Sequence, residues 1–167
     1  LVDLLGLPPS WRLDEGPGGG VIQMSASDST HLSLAVARHQ FELTGADANS
    51  LVAYGSSQAH SSIEKGARVA GFKHIRSVPV TETFGIDADA FAKIVRDDID
   101  SGLIPAWVCS AVGTTNTTAM DPIRAIAAIA SENGMWHHAD AAYAGSAMIC
   151  PESVSYTHLR AHETEQH

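Results

Sequence analysis

Apolar positions recur at helical spacing early in the chain, and short apolar runs alternate with amphipathic segments further along it. The pattern over residues 32–41 predicts a helix that runs to about Leu43. Ser27 or Asp28, in the small polar run before it, is a natural N-cap. The predicted strands are residues 51–54, 75–80, 106–112 and 135–139, and the later predicted helices are residues 61–69, 87–101 and 122–133.

The alternation of strands and helices indicates the fold class. Each predicted strand is apolar on both faces, which is typical of a parallel sheet covered by helices on both sides. Pro79 predicts the end of its strand or an edge position, because proline donates no ladder hydrogen bond. The chain is therefore predicted to be an α/β protein with a mostly parallel sheet. Its third helix should direct four side chains inward: Phe91, Ile94, Val95 and Ile99.

Composition and charge exclude some functions. The hydrophobic fraction of 44% fits an ordinary globular protein, and no apolar run is long enough to span a membrane. A net charge of -9 argues against a nucleic-acid partner, which would require a basic surface. The two cysteines, Cys109 and Cys150, form no disulfide framework, so we expect a cytoplasmic protein. Cys109 lies in an apolar run and is predicted to be a buried, inert thiol.

Several polar groups fall at the carboxyl ends of the predicted strands, where open parallel sheets bind ligands. Residues 25–27 open the first helix, whose free N–H groups favour an anion. His60 follows the first strand, residues 113–118 follow the third, and His138 and Asp140 end the fourth. A phosphorylated, ring-shaped cation would suit this combination, since a buried Asp140 needs a cationic partner.

Simpler interpretations of the same residues remain open. Residues 25–27 serve equally well as helix caps, a lone histidine such as His60 is more often a surface residue, and the threonine run is also typical of a turn. A metal site is disfavoured, because strand alternation sends His137 to the face opposite His138 and Asp140, and two ligands make a poor site. The early glycine run lacks the order of a dinucleotide-binding fingerprint.

The fourth predicted strand ends in the motif His-Ala-Asp-Ala-Ala-Tyr-Ala-Gly-Ser at residues 138–146. This motif closely resembles the pyridoxal-phosphate-dependent decarboxylases of the aromatic-L-amino-acid type (group II). The resemblance runs from about Leu4 to Glu152. It includes further motifs in the same order as in the family, at residues 18–23, 25–27, 59–62, 113–115 and 149–152.

The resemblance implies a fold, a cofactor and roles for individual residues. The fold is the large domain of the aspartate-aminotransferase-like (type I) enzymes, in a homodimer with active sites at the subunit interface. Pyridoxal 5'-phosphate is the implied cofactor and an amino acid the implied substrate. Ala26 and Ser27 match the positions that hold the cofactor phosphate, and Thr115 matches a threonine that contacts the cofactor. The remaining matches are His60, catalytic and stacked on the ring, Asp140, catalytic and bonded to the ring nitrogen, and Ala142, on the ring face opposite His60.

The sequence departs from the family at three places. Met24 stands where the family usually has glycine, and His137 replaces an aliphatic residue on the strand face away from the cofactor. The match stops at Ser153, before the segment that carries the lysine to which the family's cofactor is covalently bound. We therefore expect residues 1–152 to be a partial cofactor-binding domain and residues 153–167 a non-homologous tail, disordered or artefactual. Since the first residue is Leu1, we expect both ends to be cuts.

The resemblance thus implies decarboxylation of L-amino acids, with aromatic ones favoured, as the activity of a parent enzyme in amino acid metabolism. The alternatives are a parent that acts on glutamate or forms aldehydes, and a fragment that binds pyridoxal phosphate weakly or not at all. The lysines of the sequence are Lys65, Lys73 and Lys93, and none has the context of the family's covalent lysine. The fragment alone is therefore expected to be inactive.

Overall fold

A sheet of four parallel strands organises the chain. The computed structural model describes residues 2–5, 7–16 and 18–150. Within them the strands lie in the order β2-β1-β3-β4, and each neighbouring pair is parallel. The prediction of an α/β protein with a mostly parallel sheet is confirmed. The strands are β1 (Leu51–Ser56), β2 (His74–Val78), β3 (Ile104–Ala111) and β4 (Trp136–Asp140).

Helices cover both faces of the sheet. In the described part of the chain the α-helices are α1 (Ala26–Leu43), α2 (Ser62–Val69), α3 (Ala88–Asp100) and α4 (Ile123–Glu132), and short 3-10 helices cover Pro9–Trp11 and Gly145–Ile149. One core cluster joins α1 and α2 to the sheet, and a second joins α3 and α4 to its other face. The largest fully buried side chains include Trp107 in the first cluster and Tyr54 and Phe91 in the second.

The path of the chain reverses at the middle of the sheet. From β1 the chain runs through α2 to the outer strand β2, and α3 then carries it back past β1 to β3. Right-handed crossovers in opposite directions put α2 on one face and α3 and α4 on the other. The connections that leave the carboxyl ends of β1 and β3 therefore go to opposite faces of the sheet. Such a switch point is where open α/β sheets form a binding crevice.

The first helix begins earlier than predicted. Ser25 is its N-cap, with an extended backbone, and its Oγ accepts the N–H of Asp28 at 3.2 Å. The predicted caps, Ser27 and Asp28, lie inside the first turn. The prediction was wrong because several small polar residues in succession are all competent caps, and the local pattern does not distinguish them.

The third helix turns a different residue inward than the apolar pattern predicts. Phe91 and Val95 are buried as expected, whereas Ile99 is 43% exposed and Asp98 only 6% exposed. Spacings of four and three residues place Asp98 on the same face as Phe91 and Val95.

Two partners compensate for the burial of Asp98. Its carboxylate accepts the hydroxyl of Tyr54 at 3.0 Å and the Nε and Nη2 atoms of Arg76 at 2.6–3.1 Å. Burial, reinforced by the Asp98 charge, raises the pKa of Tyr54, so the phenol remains a donor. The group ties α3 to β1 and β2 on the face away from α1.

Further predictions concern a cysteine, membrane-spanning segments and the C-terminal tail. Cys109 is 1% exposed, and burial raises the pKa of its thiol well above the ordinary value, as expected of an inert cysteine. Among residues 2–5, 7–16 and 18–150, no helix is long and apolar enough to cross a membrane. The predicted tail, residues 153–167, lies outside the described residues.

Candidate functional site

One cavity of about 290 Å³ lies at the carboxyl ends of β1, β3 and β4, beside the start of α1. It occupies the crevice that the switch point creates. All six residues that the sequence assigned to a site line it: Ala26, Ser27, His60, Thr115, Asp140 and Ala142. The structure therefore brings them together, while the individual roles remain predictions. Six further residues line the cavity. Ser25 belongs to the predicted anion-binding segment, and Gly113 and Thr114 belong to the polar segment placed after the third strand, whereas no role was predicted for Ser62, Ala111 and Tyr143.

The start of α1 gives the cavity a set of N–H donors. Ser25 caps the helix, and its hydroxyl donates to the Asp28 carboxylate at 2.8 Å. The amides of Ala26 and Ser27 lie in the first turn, where a helix offers no carbonyl partner. These amides and the Ser27 hydroxyl form a group suited to an anion, strengthened by the positive end of the helix dipole. Ser25 thus caps the helix, and all three residues 25–27 line the cavity.

Asp140 places a carboxylate at the end of β4. Its Oδ1 accepts the backbone N–H of Ala142 at 3.1 Å, and its carbonyl accepts the N–H of Val112 at 2.8 Å. Its other oxygen, Oδ2, has no hydrogen-bond partner among the residues that the structure describes. The half-buried carboxylate therefore has one oxygen fixed by the backbone and one available to a donor in the cavity.

His60 lies in the loop between β1 and α2, and its ring is held from one side. The backbone N–H of Ser62 donates to His60 Nδ1 at 3.2 Å, and the Ser62 Oγ lies 3.0 Å from the same nitrogen. The sequence did not single out Ser62, although its distance of two residues from His60 is typical of a local side-chain-to-backbone bond. The ring is therefore oriented by the first residue of α2.

The loop after β3 combines a turn with a wall of the cavity. Gly113 has a positive φ of 89°, and the buried Thr114 accepts the N–H of Ala119 at 3.2 Å and pairs with the hydroxyl of Thr117 at 2.7 Å. These bonds close the turn and leave Thr115 exposed at the cavity. The turn interpretation of the threonine run is therefore correct for Thr114 and Thr117, and it accounts for the position of Thr115.

The two neighbouring histidines of β4 lie on opposite faces, as predicted. His138 stacks on Trp107, with ring centroids 5.7 Å apart, and lies 3.4 Å from the Thr30 hydroxyl of α1. His137 faces the other core and pairs with the buried Ser110 at 2.7 Å. Burial lowers both pKa values; that of His137 falls to about 4, with a smaller contribution from His138, while Asp140 opposes the shift of His138.

The cavity fits the cofactor that the resemblance implies. An anion such as a phosphate finds the amides of the first turn of α1, and a protonated ring nitrogen finds the available Oδ2 of Asp140. The flat ring of His60 and the methyl group of Ala142 offer contacts to a planar ligand. No cationic side chain lines the cavity in the described part of the chain, so Asp140 is free for a cationic ligand.

Comparison with known proteins gives a match over nearly the whole chain. The model of the pyridoxal-dependent decarboxylase conserved domain matches residues 1–161. An aromatic-L-amino-acid decarboxylase of Catharanthus roseus is 44% identical over 162 residues, which are 93% of this chain and 32% of that protein. A phenylacetaldehyde synthase of Arabidopsis thaliana is 40% identical over 159 residues, 92% of this chain and 32% of that protein.

A solved structure agrees with the fold. The Oryza sativa protein TDC, crystallised with PLP and tryptamine, superposes with a TM-score of 0.86 at 38% identity. The superposition covers 95% of this chain and 34% of that chain. The chain therefore spans about a third of the length of the proteins it matches.

Proposed function

Because this chain belongs to the pyridoxal-dependent decarboxylase family, we propose that it is the cofactor-cradling part of an enzyme that decarboxylates L-amino acids, with aromatic ones favoured. The single cavity that collects all six predicted site residues carries the proposal. The names of the relatives support an aromatic substrate. A homodimeric, cytoplasmic parent belongs to the same proposal. The dimer rests on the family resemblance and is tested by light scattering of the parent enzyme, and the compartment rests on the low cysteine content.

Each of the six predicted site residues has a proposed task. When bound, pyridoxal phosphate supplies a ring that accepts the electrons left on the α-carbon as the carboxylate departs. Asp140 would hold a proton on the ring nitrogen, because a neighbouring negative charge favours the protonated form. Ala26 and Ser27 would bind the phosphate, His60 and Ala142 would contact the two faces of the ring, and Thr115 would contact the cofactor. His60 would also lie near enough to the substrate to handle a proton.

Replacing Asp140 tests its proposed task in the parent enzyme. Asp140→Ala is expected to lower kcat far more than it weakens cofactor binding, because the ring nitrogen loses its charged partner while the phosphate contacts remain. Steady-state kinetics and an absorbance titration with pyridoxal phosphate measure the two effects separately. Asp100→Ala, an exposed acid at the end of α3, is the control. A near-normal kcat in Asp140→Ala would contradict the assignment.

We also propose that this chain lacks the covalent lysine and is inactive alone. Lys65, Lys73 and Lys93 are all exposed, and none lines the cavity. Lys93 is paired with Asp97 at 2.6 Å on α3. Borohydride reduction of the chain with pyridoxal phosphate, followed by peptide mass mapping, should find no single preferred lysine. Carbon dioxide release from an aromatic amino acid above the rate of free cofactor would refute the proposal.

The boundary of the cofactor-binding part is a proposal as well. We place it at residue 152, with residues 153–167 as a tail of other origin, on the strength of where the family motifs end. The family match itself runs nine residues further, to residue 161. Resequencing the gene across this point tests whether residues 153–167 continue the reading frame of the preceding residues or begin at a junction with unrelated sequence.

Aldehyde formation is a second candidate activity of the parent. It is favoured by the similarity to a phenylacetaldehyde synthase, at 40% identity against 44% for the decarboxylase. Product analysis of the parent with an aromatic amino acid separates the two, since a decarboxylase releases the amine and an aldehyde synthase the aldehyde.

A further inference from the structure

The first residue of α2, Ser62, contacts His60, which lines the cavity. We infer that Ser62 is a positioning residue that fixes both the orientation and the tautomer of the His60 ring. The hydrogen bonds of the chain itself carry this inference, and its consequence for cofactor binding rests on the proposed function.

The tautomer follows from the chemistry of the two contacts at His60 Nδ1. A backbone N–H can only donate, so the Ser62 amide at 3.2 Å requires Nδ1 to be an acceptor. A neutral imidazole that accepts at Nδ1 carries its proton on Nε2. The Ser62 hydroxyl, 3.0 Å from Nδ1, adds a second donor to the same nitrogen.

The environment of Ser62 shows that its hydroxyl is committed to the histidine. Ser62 is 4% exposed, and the N-cap of α2, Ser61, makes no side-chain cap bond. A small polar residue at the start of a helix ordinarily bonds to the helix backbone. Here the hydroxyl bonds to the ring of His60 instead, while the His60 carbonyl accepts the N–H of Ile63 at 3.1 Å.

The loop before His60 is held by bonds of its own. The hydroxyl of Ser56, at the end of β1, accepts the N–H of Gln58 at 3.0 Å, and the Ser56 carbonyl accepts the N–H of Ala59 at 3.0 Å. His60 is therefore fixed at its backbone by β1 and α2 and at its ring by Ser62. With Nδ1 engaged, Nε2 is the ring nitrogen left for a ligand.

This arrangement determines what His60 offers to the cavity. It presents an N–H donor at Nε2. The opposite tautomer would be needed for a base at that atom, and it would direct Nδ1–H against the Ser62 N–H. His60 therefore donates a hydrogen bond to whatever lies beside it, and Ser62 determines this direction.

Nitrogen-15 spectra of the histidine-labelled chain, without cofactor, test the inference directly. We expect a protonated Nε2 and an unprotonated, hydrogen-bonded Nδ1 for His60, assigned by its loss in His60→Gln. Ser62→Ala keeps the backbone N–H at Nδ1, and with it the tautomer, but removes the hydroxyl. The Nδ1 resonance should therefore move part of the way toward that of an unbonded ring nitrogen, and Ser62→Thr, which keeps the hydroxyl, should restore it. Ser61→Ala, at the exposed neighbour, is the matched control and should leave the ring unchanged.

Two results would overturn the inference. One is a proton on Nδ1 in the unaltered chain, and the other is a set of ring resonances in Ser62→Ala that coincide with those of the unaltered chain.

Pyridoxal phosphate titration is the second measurement. In Ser62→Ala the His60 ring must be oriented when the ligand binds, at a cost of at most one neutral hydrogen bond, about 1 kcal/mol. Binding should therefore weaken by up to roughly fivefold in Ser62→Ala and stay unchanged in Ser61→Ala. A chain that binds no pyridoxal phosphate contradicts the proposed function, while the ring spectra still decide the role of Ser62.

Discussion

At the scale of single residues, Gly113 shows how a backbone requirement and a site requirement coincide. Its φ of 89° is in the left-handed region, which residues with a Cβ rarely adopt. A Cβ at this position would lie 2.6 Å from Cδ1 of Tyr143, which lines the cavity from the segment after β4. Glycine therefore allows the turn and lets the Tyr143 ring lie close to it.

A pair of alanine substitutions separates these two requirements. Gly102 also has a positive φ, of 80°, but open space around its Cβ position. Gly102→Ala should cost only the backbone strain, about 1 kcal/mol, whereas Gly113→Ala should cost more because Tyr143 must move. Urea unfolding of both variants measures the difference. Equal losses of stability would show that Tyr143 does not constrain this glycine.

His137 is a second residue whose surroundings, more than its type, determine its behaviour. Burial lowers its pKa to about 4 from an ordinary value of 6.5. The folded state then binds fewer protons than the unfolded state, so stability from this group is present above pH 6.5 and is lost as the pH falls toward 4. The limit of the loss is about 3 kcal/mol.

We expect His137→Val to remove this part of the acid sensitivity. The variant leaves the Ser110 hydroxyl without its histidine partner, which lowers stability at every pH, but its stability should fall less steeply between pH 6.5 and 4. Urea unfolding across that range, with the exposed His39→Val as the control, measures the slope. Parallel pH profiles for His137→Val and the unaltered chain would contradict the prediction.

At the scale of elements, the close approach of α1 and α2 depends on one glycine. A Cβ on Gly66 would meet the His31 ring, at Cδ2, and would lie 3.0 Å from Cδ1 of Leu34. The Nε2 atom of His31 is buried without a hydrogen-bond partner among the described residues. The histidine thus fills space between the two helices at the expense of an unsatisfied nitrogen, and glycine opposite leaves room for it.

A double-mutant cycle measures this contact. Gly66→Ala should destabilise the chain because the His31 ring must shift, and His31→Ala should relieve the clash. The two changes together should cost less than the sum of the single changes, with a coupling energy of about 0.5–3 kcal/mol. Thermal or urea unfolding of the four variants gives the cycle. Additive losses would mean that the ring moves away freely.

The element boundaries show where sequence patterns succeed and where they fail. Strand β1 extends two residues beyond its prediction, to Ser56, because Gly55 and Ser56 have no apolar signal yet pair with β2. Strand β2 ends at Val78, directly before Pro79, as the missing N–H predicts. Apolar periodicity therefore located the strands and α-helices of the described residues, although not the two short 3-10 helices, whereas the ends depended on backbone pairing that side-chain type does not reveal.

At the scale of the whole molecule, the four strands differ in how well they are protected. Strands β1 and β3 have a neighbour on each side and are buried almost throughout, whereas β2 and β4 are the outer strands of the described sheet and are half-buried. Amide exchange should therefore be slowest in β1 and β3 and faster in β2 and β4. Mass-spectrometric or NMR exchange measures this order, and equal protection of all four strands would contradict it.

The family and the type I fold predicted from the sequence are confirmed by the family match and by the solved structures. The gathering of the six site residues was also predictable, because the carboxyl ends of parallel strands meet at one edge. Ser62 and Tyr143 were not predicted as part of the cavity. Both lie in motifs that carry the family resemblance, but their contacts depend on the orientation of the His60 ring and on the path of the chain after β4, which the motifs do not reveal.

The cavity joins residues from opposite ends of the described chain, Ala26 in α1 and Ala142 after β4. Closing such long loops costs conformational entropy, so the walls of the cavity meet only when the last strand has docked. A ligand that fits the cavity therefore binds the fully formed sheet and not the partly folded states that precede it. Such a ligand slows unfolding and leaves the rate of folding unchanged.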